Sequence, residues 1–288
     1  MPSLTERLAL RSLTLTGWRS RYVRTSVGRM HLVEARGAGP HPPIVVLHGF
    51  GAASVNYVPL LRRLRQHGRE VVGLDLPGHG FSETPLPALS IDTLRVGLVE
   101  SLDRVIDERG EPVVLFGNSM GGAVVARYAI ERKDRVRGVV LCSPGGAMMD
   151  PEALRSLLRT FDVRSHGDAL VFVDRLLAEP TMLRHLIAWG VRRKFNEPQL
   201  RTLIESITEG DLFTPDELAA LEVPALLIWG RSERILPREC LAFFRAHLPR
   251  HVRIEEPEGF GHTPHLERPG ALTKHVLRFL ESLDAPAD

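Results

Sequence analysis

Val113-Val114-Leu115-Phe116-Gly117-Asn118-Ser119-Met120-Gly121-Gly122 runs from a short apolar segment, through a serine set between glycines, into a stretch of helical period. The apolar run reads as a buried strand, and the change of period places Ser119 on a strand-to-helix turn. A side chain at Gly117 or Gly121 would collide with the adjoining strand and helix. The glycines therefore permit a turn tight enough to push the serine out of the backbone surface. The free N–H groups and positive end of the following helix can stabilise charge developing on a substrate oxygen. The same residues also fit a plain turn with a capping serine, so the rest of the chain must separate the two readings.

Outward from this segment, short apolar runs at 44–47, 71–74 and 136–141 alternate with helical patterns such as 92–109. Alternation of this kind predicts a parallel sheet with crossover helices, and strands almost free of polar residues must be covered on both faces. Upstream, Tyr22-Val23-Arg24-Thr25-Ser26 and Met30-His31-Leu32-Val33-Glu34 flank Val27-Gly28 and predict an antiparallel hairpin. After Leu141 the alternation gives way to helices for about eighty residues, until a buried strand returns at 224–228. Pro151 opens one of these helices, and Thr214-Pro215-Asp216-Glu217 combines a capping threonine with its reciprocal glutamate. The expected division is a core of residues 1–146 and 222–288, with a helical cap of residues 147–221 across the carboxyl edge of the sheet. Ligands of open α/β sheets bind at that edge.

The composition, 43% hydrophobic and 25% charged, leaves no room for a long disordered tract, and a net charge of +2 argues against a nucleic-acid partner. Cys142 and Cys240 match no metal-ligand spacing and read as buried, reduced thiols. Near the amino terminus, Arg7 and Arg11 interrupt the leucines at 4, 8, 10, 13 and 15. That mixture predicts a helix packed on the domain, without stable membrane insertion, in a cytoplasmic protein. A helix resting on a lipid surface is the alternative. The sequence does not define an oligomeric state.

Each chemical motif falls at the end of a predicted strand. In His48-Gly49-Phe50-Gly51 small residues let the backbone turn its N–H groups inward, as an oxyanion hole requires. The expected donors are the amides of Phe50 and Met120, each worth about 3 kcal/mol of barrier; the alternative is an ordinary glycine turn. Gly259-Phe260-Gly261-His262-Thr263-Pro264-His265 offers His262 as general base, with His265 read as a structural residue beside the last helix. In Trp229-Gly230-Arg231-Ser232-Glu233-Arg234, Glu233 is the carboxylate placed to orient that histidine. The alternatives are a surface glutamate paired with Arg231 or Arg234, and Asp150 as the acid. Asp75-Leu76-Pro77-Gly78-His79-Gly80-Phe81-Ser82 reads as a compact loop tied by hydrogen bonds of Asp75 and His79, not as a metal site. No metal or cofactor is implied.

On these motifs together with Ser143-Pro144-Gly145-Gly146, the chain from Tyr22 to Leu283 resembles the α/β-hydrolase superfamily. The resemblance implies an α/β, doubly wound, mostly parallel eight-stranded sheet with an inserted helical cap. It also implies hydrolysis of a small or lipid-like carboxylic ester through an acyl-enzyme at Ser119. Members that open epoxides or remove halide carry aspartate in place of that serine. The chain is similar both to monoacylglycerol-lipase-like esterases and to carbon–carbon bond hydrolases of aromatic catabolism. The latter often share Gly-Asn-Ser-Met-Gly-Gly but usually have a tryptophan where Thr263 stands. Met148, Phe161, Phe172 and Trp189, with Met149, Leu176, Leu186 and Phe195, offer apolar surface for a pocket in the insertion. Two rival functions remain: cleavage of a dienoate diketone, with Arg192 or Arg193 holding its carboxylate, and a ligand-binding protein with a vestigial triad.

Overall fold

The computed structural model describes residues 2–284. Eight strands, β1 (Arg19–Thr25), β2 (Gly28–Arg36), β3 (Ile44–Leu47), β4 (Glu70–Leu74), β5 (Val113–Asn118), β6 (Val136–Cys142), β7 (Ala225–Ile228) and β8 (Arg253–Glu255), form one sheet in the order β1-β2-β4-β3-β5-β6-β7-β8. β1 and β2 form the expected hairpin and β2 pairs antiparallel with β4, whereas every pairing from β4 through β8 is parallel. This is the doubly wound arrangement expected from the apolar runs.

The helices are α1 (Leu4–Leu15), α2 (Val58–Leu64), α3 (Ile91–Asp107), α4 (Met120–Glu131), α5 (Pro151–Arg159), α6 (His166–Leu176), α7 (Arg184–Phe195), α8 (Pro198–Glu205), α9 (Pro215–Ala219), α10 (Arg238–His247), α11 (Pro264–Glu267) and α12 (Pro269–Asp284). Alternate side chains of the central strands enter opposite layers, as a two-residue period demands. Val45, Leu47, Leu115 and Leu141 join the layer containing Leu94 and Leu98 of α3 and Val125 of α4. Ile44, Val46, Phe116 and Val140 join the layer formed by α2 and α12 with Leu13 of α1. Among the described residues, no helix is long and apolar enough to cross a membrane.

Register brings the strand ends into line, with Leu47 opposite Gly117, Asn118 opposite Cys142 and Cys142 opposite Ile228. The loops after β3, β5 and β7 consequently emerge side by side at one sheet edge. Helices α5 to α9 all lie in the connection between β6 and β7, and Asp150 caps the first of them by accepting the N–H groups of Glu152 and Ala153. That role accounts for Asp150 without any part in the site.

The turn between β5 and α4 depends on close backbone approach. A Cβ on Gly117 would stand 2.3 Å from the Gly121 carbonyl oxygen, and one on Gly121 would stand 2.5 Å from that of His48. Neither obstacle is a flexible side-chain end. Gly121→Ala is expected to lower unfolding free energy by about 3 kcal/mol, measured by urea denaturation, as overpacking against fixed backbone does.

Candidate active site

Ser119 occupies φ 54°, ψ −121°, a conformation that side chains rarely adopt. Its N–H donates to Cys142 O at 3.0 Å, while its carbonyl accepts the N–H groups of Gly145 at 3.0 Å and Ala123 at 3.1 Å. Strain on the order of 1–3 kcal/mol at such a residue persists only where the surroundings over-determine it, and strand end, helix start and the β6 loop all grip this one. A Cβ on Gly49 would lie 3.1 Å from Ser119 Cβ, so the loop after β3 packs directly on the serine. Among the described residues, the amides of Phe50 and Met120 make no hydrogen bond.

His262 Nδ1–H donates to Glu233 Oε2 at 2.7 Å, and Glu233 Oε1 accepts the N–H groups of Ile235 at 2.7 Å and Leu236 at 3.1 Å. Burial alone would raise the Glu233 carboxyl, but His262 and these amides hold it below the usual carboxylate range. Arg231 instead pairs with Glu258 at 2.8 Å, and Arg234 donates to Leu177 O; neither pairs with Glu233. The loops carrying acid and histidine are joined by Ser232 N–H to Phe260 O at 3.0 Å. His262 N–H also donates to Leu176 O at 3.0 Å, tying its loop to the end of α6. With Nδ1 occupied, Nε2 is the ring nitrogen left for Ser119. No hydrogen bond joins them among the described residues, and such contacts commonly tighten only with substrate bound.

Two residues absent from the sequence-based site connect these parts. Gly49 N–H donates to Tyr57 Oη at 3.3 Å, and Tyr57 O–H donates to Asn118 Oδ1 at 2.7 Å. Asn118 Nδ2 donates to Cys142 O at 3.0 Å and to His262 O at 3.2 Å. Both donors and the oxygen of that amide are used in a buried network that joins the loop after β3, the ends of β5 and β6 and the loop after β8. Asn118 lies in the quoted motif, but Tyr57 sits in a one-turn helix at Ser54–Tyr57 that carries no chemical signature.

The loop after β4 is tied by hydrogen bonds of Asp75 and His79, as the sequence suggests. Asp75 accepts the Phe81 N–H at 3.0 Å and, from outside the loop, the Ser54 N–H at 2.6 Å and the His31 ring at 2.8 Å. His79 Nδ1–H turns to Pro77 O at 2.9 Å because the tight loop folds its ring back on its own backbone. Burial, the largest influence on each, pulls His79 and His265 down to about 3, whereas Asp75 is held to about 2 against its own burial by His31. His48 is also buried and neutral: its Nδ1–H donates to Gly49 O at 2.8 Å, and its Nε2 accepts Leu76 N–H at 3.0 Å.

Of the apolar residues expected in a pocket, Phe161 packs near-perpendicular to Phe50 with centroids 5.5 Å apart, and Phe172 meets Phe161 at 5.8 Å. Phe195 completes the cluster, 5.1 Å from Phe50. Met148 and Trp189 are exposed and stand outside it; Trp189 lies six residues before Phe195 on α7, on a face turned to solvent. Arg193 rests over the Trp189 ring and Arg192 donates to Arg164 O, both on the exposed surface. Cys142 and Cys240 are buried free thiols, and burial pushes Cys240 up to about 12.

A serine on a strained strand-to-helix turn, beside free amides and a buried glutamate–histidine pair at one sheet edge, defines a serine hydrolase of the α/β-hydrolase fold. The chain belongs to the serine aminopeptidase S33 family, whose profile matches residues 38–269. It is similar to the carboxylesterase YbfK of Bacillus subtilis, 26% identical over 90% of this chain and 86% of that protein. Among solved structures, a membrane phospholipase A described as a bacterial virulence factor superposes with TM-score 0.80 at 26% identity, covering 98% of this chain and 93% of the other. A 2-hydroxy-6-oxo-6-phenylhexa-2,4-dienoate hydrolase from Rhodococcus superposes with TM-score 0.79 at 25% identity, covering 92% and 99%. The protein is accordingly an enzyme of the esterase and lipase type of hydrolase.

Two outcomes follow from the buried network and the buried rings. Tyr57→Phe strands Gly49 N–H and Asn118 Oδ1 without their partner and is expected to cost about 1–3 kcal/mol in a denaturant titration. His265 is neutral in the fold, whereas an unfolded imidazole titrates near its ordinary 6.5. The unfolded chain thus binds more protons, so this contribution to stability is present above 6.5 and is lost as pH falls toward 3. His265→Phe keeps the stack on Tyr57, where the rings lie 3.7 Å apart. Its unfolding free energy, followed by calorimetry across that window, is expected to decline less steeply than that of the parent.

Proposed function

We propose that this enzyme hydrolyses a carboxylic ester through an acyl-enzyme at Ser119. The buried Glu233–His262 hydrogen bond, on a loop anchored through Asn118 to the residue beside Ser119, is the observation that carries the reading. Glu233 fixes the tautomer in which His262 Nε2 is bare. That nitrogen takes the Ser119 proton as Oγ attacks the carbonyl carbon, and the amides of Phe50 and Met120 receive the oxyanion. The alcohol leaves with the proton from His262. Water, deprotonated by the same nitrogen, then attacks the acyl carbonyl, and His262 returns that proton to Ser119 Oγ as its bond to the acyl carbon breaks and the acid departs.

Residues 147–221 serve as a cap over a core of residues 1–146 and 222–288, and the bond from His262 N–H to Leu176 O links cap position to the histidine. The similarity to carboxylesterase YbfK supports a small-molecule ester as substrate. Arg192 and Arg193, the cations expected for dienoate cleavage, are exposed on α7 and do not line the cavity that Phe50 borders. A vestigial site is disfavoured by the intact pairing of Glu233.

Ser119→Ala is expected to abolish labelling by a fluorophosphonate and to lower kcat on p-nitrophenyl esters at least about 10³-fold. Glu233→Gln, which keeps shape but removes charge, should lower kcat by about 10³–10⁴-fold with little change in KM. An unlabelled Ser119 in folded protein, or faster cleavage of a 2-hydroxy-6-oxo-dienoate than of any ester, would overturn the assignment.

A further inference from the structure

The helical insertion holds a cavity of about 350 Å³ whose apolar wall includes Phe50, Phe161 and Phe195. Neither Ser119 nor His262 lines it; Phe50, whose amide is the proposed oxyanion donor, is the residue common to cavity and site. The other side carries four arginines, Arg155, Arg159, Arg164 and Arg201, against two carboxylates, Asp162 and Glu205. Arg164 is held by Asp162 at 2.9 Å, and Arg201 reaches the same carboxylate at 3.9 Å. Arg155 and Arg159 form no ion pair among the described residues, although they stand on successive turns of α5.

Like charges four residues apart repel along a helix, and neither arginine has a carboxylate to offset this. The cavity edge consequently keeps a surplus of positive charge, presented by guanidinium forks of the kind that bind the oxygens of a phosphate or carboxylate. Apolar rings and unpaired guanidinium groups in one cavity describe a receptor for an amphiphile.

We propose that this cavity receives the anionic end of an amphiphilic ester. Its phosphate or carboxylate lies against Arg155, Arg159 and Arg201, its ester carbonyl at Ser119 and its acyl chain against the rings of Phe50, Phe161 and Phe195. The proposal rests on the ester-hydrolase reading and adds to it the charge of the substrate.

The test uses the full chain and four substrates at monomeric concentrations: decanoyl glycerol, decanoyl glycerol phosphate, the decanoyl ester of glyceric acid, and p-nitrophenyl acetate as a control too small to span the cavity. At least one anionic ester is expected to exceed decanoyl glycerol in kcat/KM by about tenfold or more through KM, and the difference should shrink as ionic strength rises. The phosphate and carboxylate arms decide which anion is preferred. Arg155→Gln with Arg159→Gln should erase the preference while leaving kcat/KM for decanoyl glycerol and p-nitrophenyl acetate unchanged. Equal rates on charged and neutral decanoyl esters, by an enzyme that cleaves p-nitrophenyl acetate, would overturn the cavity assignment alone. An equal loss on charged and neutral esters in the double variant would show a structural role for the arginines and overturn it as well. If p-nitrophenyl acetate is untouched and Ser119 resists fluorophosphonate, the ester reading fails and this proposal with it.

Discussion

The conformation of Ser119 constrains everything around it. Its positive φ is unfavourable for a side chain, and it is held because β6 fixes its N–H while α4 and the loop after β6 fix its carbonyl. For α4 to begin at once after the strand, Gly121 must touch the backbone at the end of β3, which forbids a Cβ there. The contact that permits the turn also brings the Gly49 loop against the serine. The positions of Ser119 and of the Gly49–Phe50 loop are therefore two consequences of one packing arrangement.

Coupling of the remaining loops is polar. Asn118 precedes the serine and directs its side-chain amide away from it, binding Tyr57 on one side and the carbonyls of Cys142 and His262 on the other. In a buried setting each of these bonds is costly to lose, so the His262 loop cannot drift from the elbow without stranding several groups. Glu233 is fixed in the same manner by the Ile235 and Leu236 amides. The extra methylene of glutamate relative to aspartate is accommodated by this local turn, in which one carboxylate oxygen organises the loop and the other meets the imidazole.

Many contacts join the insertion to this framework, and two of them are Leu176 O to His262 N–H and the aromatic cluster around Phe50. Both contacts reach residues of the proposed machinery. Movement of the helices would accordingly be felt at the histidine and at the oxyanion loop together. Phe50, Phe161 and Phe195 of that cluster also line the arginine-bearing cavity, which gives the Phe50 residue a place at the boundary between the proposed chemistry and recognition.

Much of the fold was legible in the residues. Apolar runs of four to six at 44–47, 71–74, 113–116 and 136–141 can only be buried strands when helical patterns separate them, and the glycine-flanked serine could only be a sharp turn. β8 escaped that reading because Arg253–Glu255 is a short, partly exposed edge strand whose residues need no apolar pattern. Ser119, Glu233 and His262 could be singled out because local glycine turns announce them. Tyr57 and the His31 partner of Asp75 could not, since a hydrogen bond between distant segments leaves no periodicity in the chain. Trp189 shows the converse: apolar composition nominated it for a pocket, but helical phase turned it to solvent. The sequence by itself determined which loops would carry reactive groups, because strand, turn and helix preferences act over a few neighbouring residues. Only the tertiary structure decided which of those groups meet, which histidines are buried neutral and which arginines stay unpaired, because these depend on the register of strands and the docking of helices far apart along the chain.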